Sequence, residues 1–237
     1  MIIGFSSGCL YKTHDSLDPV TINIFRKSGC NAIEIMIHRT SDIDRFIKLR
    51  ASDVSGFKYT SVHAPIYKGE GKGEYIKALK AIEKMHSKLS FDAVILHPDM
   101  FDNFSFLKEI DLPFAFENMD NRKKSCKDVE SMRRVFGGFD APMVFDINHC
   151  FSNDPSMELG GDLVKAFLPR IEEIHLSGFS TFHDPLFKTK QNIIMNAIPD
   201  INLPIIIESV LDSVEEINKE LGYIMNYLKN NTLKTAL

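Results

Sequence analysis

The sequence predicts an α/β fold, a single (β/α)8 TIM barrel with eight parallel strands over residues 1–237 and a metal site at the C-terminal ends of the strands. Three observations predict it. Short apolar runs rich in branched and aromatic residues recur at roughly 30-residue intervals, the length of one strand plus one helix. Segments of helical periodicity fill the intervals. Six of the runs end on a metal-binding type of side chain, in TSV-His63, AVIL-His97, PFAF-Glu117, PMVF-Asp146, EEI-His175 and PIII-Glu208. Parallel strands share one direction, so their last residues share one rim, and that rim of a barrel is where its chemistry is done.

The first strand is expected at 2–6. Asp18 as cap, Pro19 at the first turn and Gly29 as a stop frame a first helix through TINIFRK. The second strand, at 32–37, leads to Ser41 and a helix through DIDRFIKLRA. After the third strand, 59–63, the glycine-rich KGEGKGE lacks the spacing of a phosphate-binding loop and reads as a lid or helix entry. A long helix follows through EYIKALKAIEKMHSKLS. Between the fourth strand (93–97) and the fifth (113–117), FDNFSFLKEIDL leaves room only for a short helix. Strands at 142–146, 171–175 and 203–208 complete the count of eight. Ser213 with Glu216 reads as a capping box opening a last helix to about Lys229, with a frayed NNTLKTAL end. A doubly wound open sheet is the alternative architecture.

Composition bounds the function. Hydrophobic residues at 44% and charged residues at 25% exclude a disordered chain or a coiled coil. A net charge of -4 supplies no global attraction for nucleic acid, although a local basic patch suffices to hold a phosphate. Cys9, Cys30, Cys126 and Cys150 form no CxxC pair and read as free thiols of a reducing compartment. No basic-plus-apolar leader opens the chain and no run nears the ~20 apolar residues of a membrane span, so a cytoplasmic protein with no membrane partner is expected.

Two more histidines belong to the rim, His149 in FDINHCF and His183 in HLSGFSTFHDP. Imidazoles mixed with carboxylates suit zinc or another first-row ion better than magnesium or calcium. Eight candidates exceed the three or four protein ligands of one catalytic zinc, which implies more than one ion. Tyr67, in the loop after the third strand, and Arg122 and Lys123, directly after FENMDN, are the candidate substrate-binding residues, the last two for a phosphate. Rival barrel chemistries lack their signatures: no HxH on the first strand, no CxxxCxxC, no lysine at a strand end and no GxGxxG.

The pieces SVHAP, LHPD, FEN, FDINH, HLSG and IIIES, with the later His183, resemble the xylose isomerase-like TIM-barrel superfamily (AP endonuclease family 2) over nearly the whole chain. In metal-ligand pattern the resemblance is to endonuclease IV. It implies two or three zinc ions, with manganese or another divalent ion as the substitute. His63, His97 and Glu117 would hold one ion, and Glu117, Asp146, His175 and Glu208 a second. His149 and His183 would hold a third with an Asp two residues before the second histidine; this chain has Thr181 there, and Asp184 is the candidate replacement.

That resemblance implies hydrolysis of a phosphoester, in abasic DNA or in a small sugar-phosphate ester. Glu117, Asp146, His175 and Glu208 resemble equally the one-ion set of the superfamily's ketose epimerases. The alternative is therefore a single-metal isomerase or epimerase of a sugar or sugar phosphate, with Glu117 and Glu208 as catalytic acid and base. His97 favours the multi-ion pattern, whereas the compact loops favour the isomerase. A barrel kept as a binding module is the non-enzymatic alternative.

Overall fold

In the computed structural model residues 1–66 and 71–235 are described, with side chains through residue 230. Eight strands form a closed parallel barrel: β1 (Ile3–Ser6), β2 (Ala32–Met36), β3 (Tyr59–His63), β4 (Ala93–Leu96), β5 (Phe114–Glu117), β6 (Met143–Asp146), β7 (Ile171–Leu176) and β8 (Ile205–Ile207). Each strand pairs with the next in sequence, and β8 closes on β1 through Phe5 opposite Ile207. All eight expected strands are present and the open-sheet alternative is excluded. Nearly every strand residue is buried, because helices cover one face of each strand and the barrel interior covers the other.

Alternation along the strands sorts two sets of side chains. One set, including Ile33, Ile35, Val62, Val94, Phe116 and Phe145, packs outward against the helices in the main core. The other faces the barrel axis. His63 is the register partner of Ile95, Glu117 of Val144, and Asp146 of His175, so these residues share the inner side. A small separate cluster of Ala93, Ile95, Ala115 and Val144 fills part of that interior. The inner layers nearer the mouth are polar, and they make the site.

Two helical expectations are corrected, and the short helix expected after β4 is met by a single helical turn. DIDRFIKLRA does not form one helix: it is broken into Thr40–Asp42, Ile43–Phe46 and Ala51–Val54. Carboxylates intervene there, since Asp42 accepts the Arg39 N–H (3.1 Å) and Asp53 the Arg50 N–H (2.8 Å), each restarting the chain as a new turn. The short interval after β4 holds only the tight turns Pro98–Met100 and Ser105–Glu109. The last helix runs Glu215–Thr235, beyond Lys229, and the Glu216 carboxylate accepts the N–H of Asp212 (3.0 Å) instead of Ser213. The first helix, Pro19–Lys27, follows expectation, with the Asp18 carboxylate accepting the Val20 N–H. The long helix begins at Lys72, directly after Gly71; residues 67–70, including Tyr67, lie outside the described residues. Among the described residues no helix is long and apolar enough to cross a membrane.

Candidate metal centre

The candidate residues stand at the strand exits, with one-residue offsets from the expected ends. His63, Glu117 and Asp146 are the last residues of their strands, His97 and Glu208 follow theirs, and His175 is next to last in β7. All but Glu208 and His183 are buried, and both of those border the cleft at the mouth. Asp146 also caps the helix Ile147–Asn153: one oxygen accepts the His149 N–H at 2.7 Å, leaving the other for the site. Asn118 locks two exits together, accepting the Asp146 N–H and donating to the Asp146 carbonyl, both at 2.9 Å.

Two ligand sets assemble from the expected residues. His63, His97 and Glu117 form one, and Glu117, Asp146, His175 and Glu208 the other, each with its donor atoms within 4.8 Å of one another. In the first, His63 Nε2 stands 3.1 Å from His97 Nε2, and the two lie 3.6 and 3.0 Å from Glu117 Oε2. In the second, His175 Nδ1 is 3.2 Å from Glu117 Oε1 and 3.4 Å from Glu208 Oε2. A tetrahedral ion with bonds of about 2.0 Å sets its ligand atoms about 3.3 Å apart, which these separations match.

Tautomers and orphan atoms test the same point. His63 donates its Nδ1–H to the Ala64 carbonyl (2.9 Å), which leaves the Nε2 lone pair facing His97. Glu117 Oε2, Asp146 Oδ2 and His97 Nδ1 are buried without a hydrogen-bond partner. Burial is the largest influence on Asp146 and, with Glu117 and Glu208 adding, it raises this carboxyl well above its ordinary value. Burial pushes His63 down, but Glu117 and the more distant Glu34 and Glu208 outweigh it and carry the imidazole up to about 9. Carboxylates that lift Asp146 and His63 together, with buried oxygens left over, make a centre whose residues fit a divalent cation.

The third expected set does not assemble. His149 donates Nδ1–H to the Asn118 carbonyl (2.8 Å), its ring lies 5.5 Å from that of His183, and His183 Nδ1 is engaged with Ser177 Oγ at 2.9 Å. Thr181 is exposed. Asp184 does not replace the missing ligand: one carboxylate oxygen accepts the N–H groups of Ser180, Thr181 and Phe182 at 2.8–3.2 Å and so braces the loop after β7. Among the described residues His149 and His183 join no third group of donor atoms.

Arg122 and Lys123 do border the cleft, as expected, but each is paired with an acid. Arg122 is bound to Asp120 and lies 4.6 Å over the Phe182 ring, and Lys123 reaches Asp99 at 3.2 Å. Gly8, Tyr11, Met36, Ile66 and Val210 form the less polar wall of the cleft, whose volume of about 290 Å³ suits a small molecule. Sequence reasoning missed Asp120, 3.8 Å from His149 Nε2, and two interior acids, Glu34 and Glu173, which lie 3.3 and 2.8 Å from His175 Nε2. The signal was present. Glu34 is a charge inside the apolar run AIEIM, and Glu173 stands two residues before His175, hence on the same face of its strand.

No protein-family model matches the chain, and no curated protein matches its sequence. Solved structures do match. A xylose isomerase domain containing protein from Salmonella typhimurium LT2 superposes with a TM-score of 0.63 at 12% identity, over 95% of this chain and 96% of that one. The shared feature is the closed (β/α)8 barrel fold. Two further barrels are similar over almost their whole lengths. The 3-keto-D-glucoside 4-epimerase from E. coli gives a TM-score of 0.62 at 10% identity, covering 95% and 99% of the two chains. D-Psicose 3-epimerase from Clostridium cellulolyticum H10, with D-tagatose, gives 0.62 at 11% identity and covers 97% and 99%.

Proposed function

We propose that this chain is a divalent-metal-dependent isomerase or epimerase of a small sugar or sugar phosphate. The convergence of Glu117, Asp146, His175 and Glu208 at the mouth carries the reading, and the two epimerases among the similar barrels support it. These four residues would hold the ion. Bound there, a divalent cation would polarise a sugar carbonyl and its neighbouring hydroxyl and so acidify the proton on the carbon between them. Zinc fits the mixed nitrogen and oxygen donors, and manganese is the substitute.

The chain's own groups would move the proton. Glu117 and Glu208 reach the centre from β5 and from the residue after β8, on either side of His175 Nδ1, and both border the cleft. Burial raises Glu208, but His175 and His183 outweigh it and bring its carboxyl to about 2. Glu117 is likewise lowered, burial being outweighed by His149, His175 and His63. Both are therefore carboxylates at neutral pH, each able to accept a proton. One takes the carbon-bound proton as the electron pair moves toward the carbonyl oxygen; that same carboxyl returns the proton to the neighbouring carbon in an isomerisation, and in an epimerisation the other carboxylate takes a proton from solvent and delivers it to the opposite face of the carbon.

A specific observation favours a second reading. The tight His63, His97 and Glu117 set gives room for another ion, with Glu117 between the two, as phosphoester hydrolysis of endonuclease IV type requires. Against it stand the unassembled third set, the acid-paired Arg122 and Lys123, and a cleft too small for abasic DNA to enter as a duplex. The deciding experiment loads the protein with zinc or manganese and follows exchange of carbon-bound protons with D2O over a panel of ketoses, aldoses and their phosphates. Exchange that is lost in both Glu117→Gln and Glu208→Gln is expected. Cleavage of an abasic duplex or a sugar-phosphate ester, with no exchange on any sugar, would overturn the proposal in favour of the hydrolase.

A further inference from the structure

We propose that the barrel holds a further cation site below the mouth, enclosed by Glu34, Glu173 and the Nε2 face of His175. Glu34 lies mid-way along β2 and Glu173 on β7, and both point to the axis, where neither is exposed to solvent. Their carboxylates and His175 Nε2 have donor atoms within 4.8 Å of one another.

Holding His175 in place explains only half of this cluster. Glu173 Oε1 sits 2.8 Å from His175 Nε2, the length of a charge-assisted hydrogen bond, and Tyr59 Oη (2.7 Å) and Ser61 Oγ (3.3 Å) donate to the same carboxylate. Glu34 has no such account. Both of its oxygens are buried without a hydrogen-bond partner. A carboxylate in that position is strongly disfavoured unless positive charge faces it. The basic group within reach is His175 Nε2, 3.3 Å away, and that imidazole is already shared: Nε2 with Glu173, and Nδ1 with Glu117 and Glu208. Glu117 and Glu208 have further histidine partners at the mouth, but Glu34 and Glu173 share this one imidazole, which cannot offset both.

A small divalent ion can. The 2.8 and 3.3 Å separations correspond to the ligand edges of octahedral and tetrahedral ions with bonds of about 2.0 Å. Two carboxylates and one imidazole, with the Ser61 hydroxyl 3.3 Å from Glu173, make a mainly oxygen donor set of the same kind as Glu117, Asp146, Glu208 and His175 at the mouth, which suits manganese. Ion binding there would displace the proton on His175 Nε2, so that this nitrogen would face the ion with its lone pair. With no opening to the cleft, the interior ion is structural: it ties β2 to β7 across the barrel and offsets negative charge beneath Glu117 and Glu208.

Anomalous scattering at the manganese edge, on crystals of the full chain grown with manganese, tests this whatever reaction the mouth performs. A peak between Glu34, Glu173 and His175, separate from any peak at the mouth, is expected. Metal analysis should find one ion fewer per chain in Glu34→Gln, with the mouth peak retained. Density confined to the mouth in the wild type would overturn the proposal even if the variant fails to fold. An unchanged ion count in folded Glu34→Gln would overturn it too, leaving Glu34 and Glu173 as supports of the His175 ring.

Discussion

His183 illustrates how surroundings set the working state of one side chain. Burial is the largest influence on it, and although Glu208 opposes, the imidazole falls from 6.5 to about 4. The folded chain therefore refuses, between those pH values, a proton that the unfolded chain accepts. Stability contributed by neutral His183 is present above pH 6.5 and lost as pH falls through 4. Urea unfolding of metal-free protein across this window should show a decline that is shallower in His183→Gln, by up to about 1.4 kcal/mol per pH unit. A second residue-scale prediction concerns Asn118, whose amide satisfies both backbone groups of Asp146. Asn118→Ala leaves those buried groups unpaired and should cost about 2 kcal/mol or more in chemical denaturation, with weaker metal uptake because Asp146 is no longer fixed. At this scale the ligands were legible because each closes an apolar run. Glu34, Glu173 and Asp120 were not read, because each lies in the interior of a run or a turn, where their shared destination depends on strand register.

Elements were legible where one physical cause dominated. The strands follow from burial on both faces, and the first and long helices from cap and periodicity. The segment after β2 was misread because Asp42 and Asp53 compete for backbone N–H groups that a continuous helix would need, a choice that propensity alone does not decide. Strand closure rests on a close approach that only glycine allows. A Cβ on Gly4 would fall 1.8 Å from the Ala32 carbonyl oxygen of the neighbouring strand. Gly4→Ala should force β1 and β2 apart and leave the chain insoluble or with its unfolding midpoint sharply reduced, whereas Gly73→Ala, which meets nothing within 4 Å, should leave the midpoint nearly unchanged. Glu220 makes a different joint. From the last helix its buried carboxylate accepts the N–H groups of Leu186 and Phe187 and the hydroxyl of Ser209, which neighbours Glu208. Glu220→Ala should cost roughly 3 kcal/mol and loosen the Glu208 loop, read as faster amide exchange at residues 208–211.

For the whole molecule, closure of the barrel concentrates charge that the net value of -4 does not reveal. Glu34, Glu117, Asp146, Glu173 and Glu208 point to one axis, and among the described residues no lysine or arginine is paired to them; the histidines interleaved among them are the basic partners found there. Folding must bring these carboxylates together against their repulsion and their loss of water, so a cation that binds only the assembled centre favours the folded state by mass action. An ion held at 100 times its dissociation constant would contribute about 2.7 kcal/mol, roughly 5–10 °C in Tm for a chain of this length. Thermal unfolding with zinc or manganese and after chelation should differ by that order, the chelated protein melting lower. Glu117→Gln, which touches both ligand sets at the mouth, should narrow the difference, because it lowers metal affinity and at the same time relieves one buried charge in the metal-free protein. Equal melting with and without metal, in protein that binds none, would mean that the histidines satisfy these carboxylates by proton sharing alone, and the barrel mouth would then be a hydrogen-bonded network and no metal centre.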